Sequence, residues 1–380
     1  LPGPWTVPAG VIVDHPRFPY RGAMLDVARR FFPLAEVLRF IDHLTRYKIN
    51  HLHLHLTDDQ GWRIAIASWP RLAEVGGATA VGDRPGGYYT PTEYRTIVEY
   101  AVARHITVVP EIDMPGHTNA ALTAYGQLAP DGVAPPPYTG TDVGFSALAV
   151  DRELTCRFVE DVLGAVAALT PGPYLHIGGD EAFTLTPEEY ARFMDRAQDI
   201  VAATGKTVVG WHQLAAARPV PGRVLQYWGT TGAEETVAAA VRQGAKVILS
   251  PGNRTYLDMK YAADTRLGKD WAGLIEIDRA YGWDPGDYLV GVPPEAVLGV
   301  EAPLWTETVT SLADAEYLTF PRLAAIAELG WSPVSAYGWT GFRDRLVAEG
   351  ARWEAAGITF HRSPGIPWVG EPPRVGSPLG

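Results

Sequence analysis

The 380-residue chain holds a single cysteine, Cys156, so it forms no intrachain disulfide and offers no multi-cysteine metal site. The stretch Leu154-Thr155-Cys156-Arg157-Phe158 reads as helix, which assigns that thiol to packing rather than nucleophilic attack. Long apolar runs are also missing, and nothing approaches the length of a membrane span. No signal-like apolar stretch follows Leu1, and localisation stays open between a secreted and a cytoplasmic bacterial soluble protein. Positive charge is in the minority, 32 Lys and Arg against 43 Asp and Glu, for a net charge of −11. That balance argues against nucleic acid or anionic membrane as the partner, because phosphate binding needs clustered Lys and Arg. A neutral substrate fits it, and monomer and dimer fit it equally. No short-period repeat is present.

What the chain does have is an alternation of apolar runs and helical periodicity. Eight strand candidates follow one another: Ala23–Val27, Ile49–Leu56, Thr107–Ile112, Tyr174–Ile177, Thr207–Trp211, Val224–Trp228, Lys246–Ser250 and Val297–Trp305. Helical segments separate most of them, including Leu34–Tyr47, Thr92–Arg104, Asp151–Leu169, Pro187–Thr204 and Ala233–Gly244. Thr90-Pro91-Thr92-Glu93 and Thr186-Pro187-Glu188-Glu189 both place Pro at the first helical position with acids in the first turn. Eight successive βα units predict an α/β fold, a closed (β/α)₈ barrel forming one catalytic domain. An open doubly wound sheet is the alternative, and the lack of a Gly-rich dinucleotide fingerprint after the first strand counts against it. Residues 1–20 read as a Pro-rich N-terminal lead-in, 21–362 as the barrel and 363–380 as an extended tail. Two longer connections, Gly76–Thr90 and Gln127–Ser146, are expected to shape a site.

Barrel sites are built at the C-terminal ends of strands, and the polar content there is unusual. Strand one ends toward Asp26 and Arg29. Strand two runs His51-Leu-His53-Leu-His55 into Thr57-Asp58-Asp59-Gln60-Gly61-Trp62. Strand three ends Pro110-Glu111-Ile112-Asp113-Met114-Pro115-Gly116-His117, and strand four ends His176-Ile177-Gly178-Gly179-Asp180-Glu181. Strands five, six and eight end in Trp211, Trp228 and Trp305, the last followed by Glu307. Carboxylates among tryptophans point to sugar chemistry: flat aromatic faces suit a pyranose, while carboxylates bond hydroxyls and move protons. With 12 tryptophans in the chain, some serve only as core.

Asp180-Glu181 is the most informative pair. Adjacent residues of a regular strand point to opposite faces, so both reach one mouth only where the strand breaks into loop, as Gly178-Gly179 permits. Two neighbours span a glycosidic bond awkwardly as nucleophile and acid. They can divide the work if one protonates the leaving oxygen and the other positions a nucleophile belonging to the substrate. The bland alternative is a surface pair capping the next helix. His51, His53 and His55 share one side of strand two. They fit either imidazoles packed inside the barrel or a metal-dependent barrel hydrolase, and the packed reading is preferred for His51 and His53. A non-catalytic carbohydrate-binding barrel is a third class, in which Asp180-Glu181 is dispensable.

Taken together, Arg21-Gly22-Ala23-Met24-Leu25-Asp26-Val27-Ala28-Arg29, His53–Arg63, Pro110–His117 and His176–Glu181 resemble glycoside hydrolase family 20, the β-N-acetylhexosaminidases. The resemblance runs in order from about Pro16 to Phe360. It implies an exo-acting hydrolase releasing terminal β-linked GlcNAc or GalNAc from chitooligosaccharides or glycans, retaining, with the substrate's acetamido group as nucleophile and an oxazolinium intermediate. By the same resemblance Glu181 is the general acid/base, Asp180 orients the acetamido group, and Tyr256 bonds the acetamido oxygen. Trp211, Trp228 and Trp305 resemble the walls around the N-acetyl methyl. Arg29 matches the arginine on the C3 and C4 hydroxyls, Asp258 and Glu307 match hydroxyl acceptors, and Asp58 and His117 match the support of Glu181. Trp271 stands where a leaving-sugar platform belongs. No cofactor and no metal are implied. Ala28 and Arg30 depart from a common serine and histidine, away from any implied sugar contact. The lead-in resembles the connection to a small preceding domain that accompanies many such barrels.

Overall fold

The computed structural model of the protein describes residues 9–369. Eight strands form a closed parallel barrel: β1 (Tyr20–Asp26), β2 (His51–His55), β3 (Thr107–Glu111), β4 (Tyr174–His176), β5 (Thr207–Trp211), β6 (Val224–Tyr227), β7 (Lys246–Leu249) and β8 (Val297–Leu304). Each neighbours the next in sequence, and β1 closes the ring by pairing with both β2 and β8. The helices covering it are α1 (Leu34–Thr45), α2 (Pro91–Val102), α3 (Glu153–Leu169), α4 (Pro187–Ala203), α5 (Glu235–Arg242), α6 (Ile277–Tyr281), α7 (Leu312–Thr319), α8 (Arg322–Trp331) and α9 (Trp339–Ala355). The open doubly wound alternative is therefore overturned.

The helix starts follow from local chemistry. Thr90 and Thr186 each accept the backbone N–H of the glutamate three residues on, and Glu93 and Glu189 reach back to the cap N–H. These reciprocal bonds satisfy donors that the first turn otherwise leaves open. Cys156 lies on α3, half-buried, as its helical context predicts.

Both ends of the barrel differ from their expected limits. β1 starts at Tyr20 because the lead-in is already pinned: Phe18 is buried, and its carbonyl accepts Nη1 of Arg21 at 2.8 Å. At the other end, the first part of the expected extended tail packs onto the barrel. Ser363, Ile366 and Trp368 are buried, and Trp368 sits 5.2 Å from the ring of Phe360 and 6.1 Å from that of Trp353. Residues 1–8 and 370–380 of those two expected segments lie outside the described residues.

Two apolar layers hold the fold. The larger lies between strands and helices; the smaller joins Tyr20, Val109, Val209, Val224 and Ile248, one from each of five strands. The Tyr20 hydroxyl donates to Glu301 at 2.6 Å, so a buried polar layer begins directly on this small apolar one. The candidate site stands on that polar layer.

Candidate active site

A cavity of about 410 Å³ opens among the residues that follow the strands. Arg29 follows β1, Asp180 and Glu181 follow β4, Trp228 follows β6, and Trp305 and Glu307 follow β8. Tyr256, Asp258 and Trp271 come from the long connection after β7.

The turn that delivers Asp180 and Glu181 is made by the two glycines. Gly178 has φ of 64° and Gly179 of 105°, in the region that disfavours any residue with a Cβ. A Cβ on Gly178 would also lie 1.6 Å from Oδ1 of Asp113. That oxygen accepts the Gly179 N–H at 3.1 Å, and the Tyr190 hydroxyl donates to the Gly179 carbonyl at 2.7 Å. Burial lowers the His176 pKa, and its Nδ1 accepts the Gly178 N–H at 3.0 Å. Glu181 itself stands at φ of 45°, a left-handed conformation rare for a non-glycine residue and concentrated at functional sites. Both carboxylates of the pair thus line the cavity, which the surface-cap alternative does not accommodate.

Around them the charges are arranged asymmetrically. Burial pushes Asp180 up to about 6; His117 opposes this and Glu181 adds to it. Burial, with Asp180 nearby, holds Asp113 well above the usual carboxylate range. Burial disfavours charge on His117, but Asp58, Asp180 and Asp113 outweigh it and keep the imidazolium well above its ordinary pKa. Its Nε2 is 3.4 Å from Oε2 of Glu181 and 3.8 Å from Oδ2 of Asp180, inside ion-pair range but beyond a formed hydrogen bond. Its Nδ1 is 3.2 Å from Asp58, which in turn accepts Nη2 of Arg29 at 2.8 Å. Arg29 lies 4.8 Å over the Trp305 ring. Burial works against its charge as well, and Asp58, Asp26 and Glu307 more than restore it. Asp258 is held well above its ordinary value by burial and by Glu307.

The aromatic members enclose the remaining sides. Tyr256 stands edge-on to Trp271 at 5.7 Å and 6.3 Å from Trp305, while Trp228 meets Trp271 edge-on at 5.9 Å. Trp228 is fixed by its indole N–H, which donates to Gln213 at 3.0 Å. Several buried polar atoms here have no hydrogen-bond partner among the described residues: Oδ1 of Asp180, Oδ1 of Asp258, Nε and Nη1 of Arg29, and Nε1 of Trp211. A polyhydroxylated ligand supplies the donors and acceptors such atoms require.

Three of the expected site residues are buried and do not line the cavity. Trp211, expected as a wall, is fully buried and stands 5.0 Å from His176 and 5.7 Å from the lining residue Trp305. Asp58 and His117, expected as the support of Glu181, are likewise buried, with His117 between Asp58 and the carboxylate pair and Asp58 paired to Arg29. The residues that sequence reasoning missed are Thr141, Val143 and Lys269. Thr141 and Val143 belong to the long connection flagged as site-shaping; nothing in the sequence marks Lys269.

The histidines of β2 pack among carboxylates and aromatic rings inside the barrel. His51 stacks on Tyr20 with centroids 3.9 Å apart, and burial brings it down to about 4. His53 lies between Glu301 at 2.8 Å and Glu111 at 3.0 Å, and His55 between Glu111 and Asp58. Burial opposes charge on His53, yet the two glutamates raise it to about 9. Such groupings of His and carboxylate are close enough to surround a cation. In this arrangement both ring nitrogens of His53 and of His55 stand against carboxylates.

A barrel whose mouth combines a turn-borne carboxylate pair, an arginine and an aromatic enclosure defines a glycoside hydrolase. Residues 18–334 match glycosyl hydrolase family 20, catalytic domain, and the chain belongs to that family. It is 47% identical over 368 residues to a β-N-acetylhexosaminidase of Cellulomonas fimi, covering 97% of this chain and 74% of the relative. Among solved structures it is similar to the family 20 β-N-acetylhexosaminidase of Streptomyces coelicolor A3(2), with a TM-score of 0.94 and 58% identity over 97% of this chain and 75% of that one. A mutant Streptomyces plicatus β-hexosaminidase in complex with its product GlcNAc matches with TM-score 0.94 and 60% identity, over 97% and 74% of the two chains. Among the described residues no helix is long and apolar enough to cross a membrane.

Proposed function

We propose that the chain removes terminal, non-reducing β-linked N-acetylhexosamine from chitooligosaccharides or glycans, with retention, using the substrate's acetamido oxygen as nucleophile. The observation that carries this reading is the shared turn of Asp180 and Glu181, which sets both carboxylates on one side of the cavity. Two carboxyls flanking a bond from opposite sides work as acid and nucleophile, and this family is a known exception to that scheme.

In the first step Glu181 gives its proton to the glycosidic oxygen as the bond from that oxygen to C1 breaks. The acetamido oxygen forms a new bond to C1 from the other face, giving a cyclic oxazolinium. Holding that oxygen against C1 converts an encounter into an intramolecular step. Ionised Asp180 accepts the acetamido N–H and offsets the positive charge that spreads over the ring. Tyr256 donates its hydroxyl to the acetamido oxygen, and Trp228 and Trp305 enclose the methyl. In the second step water attacks C1, its proton passes to the Glu181 carboxylate, and the amide is restored. Two displacements return the β configuration. Arg29, Asp258 and Glu307, which line the cavity, hold ring hydroxyls.

Hydrolysis of an aryl β-N-acetylglucosaminide beside the matching β-glucoside, with chelator present, tests the reading. Cleavage of the acetamido sugar alone, with β-configured product in the first NMR spectra, is the expected result. Cleavage of both at similar rates removes the acetamido nucleophile, and loss of activity on chelation with rescue by zinc restores the metallohydrolase.

A further inference from the structure

Below the cavity, acids and imidazoles alternate through the barrel interior over a longer path than the support of Glu181 requires. Glu301 on β8 accepts Tyr20 at 2.6 Å, Gln226 at 2.7 Å and Nδ1 of His53 at 2.8 Å. The far side of His53, Nε2, lies 3.0 Å from Oε2 of Glu111, and that same oxygen bonds Nδ1 of His55. Nε2 of His55 is 2.7 Å from Oδ2 of Asp58, whose other oxygen is 3.2 Å from Nδ1 of His117. His117 then faces Asp180 and Glu181. Every link from Glu301 to His117 is at least 98% buried.

The fold makes room for this path deliberately. Gly22 is the register partner of Glu301, and a Cβ there would lie 2.5 Å from the Glu301 carboxylate. His55 and Glu111 are register partners across β2 and β3, and Asp26 partners His55 across β1 and β2. Unpaired, three buried carboxylates at this depth are costly, and each imidazolium bridging two of them offsets that cost. His55 is driven well above its ordinary pKa: burial opposes, while Glu111 and Asp58 more than compensate. Each imidazolium also fixes the two carboxylates it joins, so a displacement at one link passes to the next.

We propose that His55 and Glu111, and behind them His53 and Glu301, are positioning residues that fix Asp58 and through it hold His117 against Glu181. Their service is to the proton-transfer half of the reaction. When Glu181 gives up its proton it becomes a carboxylate, and the His117 imidazolium 3.4 Å away stabilises that new charge. A loosened His117 therefore harms departure of groups that need the proton and spares groups that leave without it. This inference rests on Glu181 as the acid assigned above.

The test compares Glu111→Gln and Glu301→Gln with the native chain on two aryl β-N-acetylglucosaminides, 2,4-dinitrophenyl as a good leaving group and phenyl as a poor one. Neither residue touches the cavity. Glu111→Gln is expected to lower kcat on the phenyl substrate on the order of tenfold, a fraction of the about 10²–10⁴ attributed to a general acid, and to leave the dinitrophenyl substrate within about twofold. Glu301→Gln, two links farther away, should show the same selectivity more weakly. Equal losses on both substrates, or none, overturn the proposal. If Glu111→Gln does not fold, ¹⁵N-imidazole spectra of the native chain decide: His55 must carry both N–H protons from pH 5 to 8, and a His55 that titrates near 6.5 overturns it. If Glu181→Gln leaves the phenyl substrate untouched, the acid assignment itself fails, an outcome separate from either of these.

Discussion

Nε2 of His117 points at the carboxylate pair, 3.4 Å from Oε2 of Glu181, while Nδ1 of the same ring rests 3.2 Å from Asp58. One imidazole therefore ties the residue proposed to move the proton to a fully buried anion, and its own backbone is left-handed at φ of 54°.

Glu181→Gln keeps the shape of the side chain and removes the proton. We expect kcat on a poor leaving group to fall by about 10²–10⁴, with the circular dichroism spectrum and unfolding midpoint unchanged. Activity within a few-fold of the native chain would remove Glu181 as the acid.

In the proposed mechanism Asp180 serves as an anion, and burial pushes it up to about 6. As pH falls through that value it takes up a proton and kcat/KM on the acetamido substrate declines, giving an acid limb near 6. The stability sign is opposite: a raised carboxylate favours the fold below its unfolded value, and that contribution is lost as pH rises through about 6. In Asp180→Asn the limb near 6 should vanish from the much reduced pH profile. Its persistence in that variant would assign the limb to another group.

Trp271 is 53% exposed at the rim, beyond Tyr256 and Trp228. A leaving sugar stacked on it gains about 0.5–1.5 kcal/mol from the aromatic face. Trp271→Ala should raise KM for a chitooligosaccharide by about two- to tenfold and change KM for a methyl glycoside little. Equal effects on both would place Trp271 on the donor sugar instead.

Trp368 bears on the fold alone. It is buried against Trp353 and Phe360, far in sequence from every cavity residue. Trp368→Ala should cost about 3–5 kcal/mol in denaturant titration, while kcat per folded molecule holds. A change below 1 kcal/mol would show that the 363–369 segment adds nothing to the barrel.

Much of this molecule could be read from its sequence, for reasons that are local. β5 runs from Thr207 to Trp211 as its apolar run predicts, and both Thr-Pro helix starts form full capping boxes. Depth was harder. The end of β5 places Trp211 near the site, but only packing shows that it is fully buried, against His176 and Trp305. Lys269 reaches the lining because the backbone of the long loop pairs with itself: Lys269 N–H donates to the Asp258 carbonyl at 2.8 Å. No periodicity announces that contact. Glu301 did leave a signal, an acid inside the otherwise apolar run Val297–Leu304, whose partners became visible only when the barrel closed.

Closure itself has a further consequence. Arg29 follows the first strand and Glu307 the last, yet both face one cavity because β1 lies beside β8, and the Thr306 N–H donates to Asp26 at 3.1 Å. The proposed grip on the sugar is thus split between the two ends of the ring, while Asp180 and Glu181 sit near its middle. If Arg29 and Glu307 hold the sugar as proposed, a refolding chain that has not yet joined first strand to last is expected to present the carboxylate pair without retaining a monosaccharide. Binding of N-acetylglucosamine, followed in time, would then work as a clock for the final stitch of the barrel.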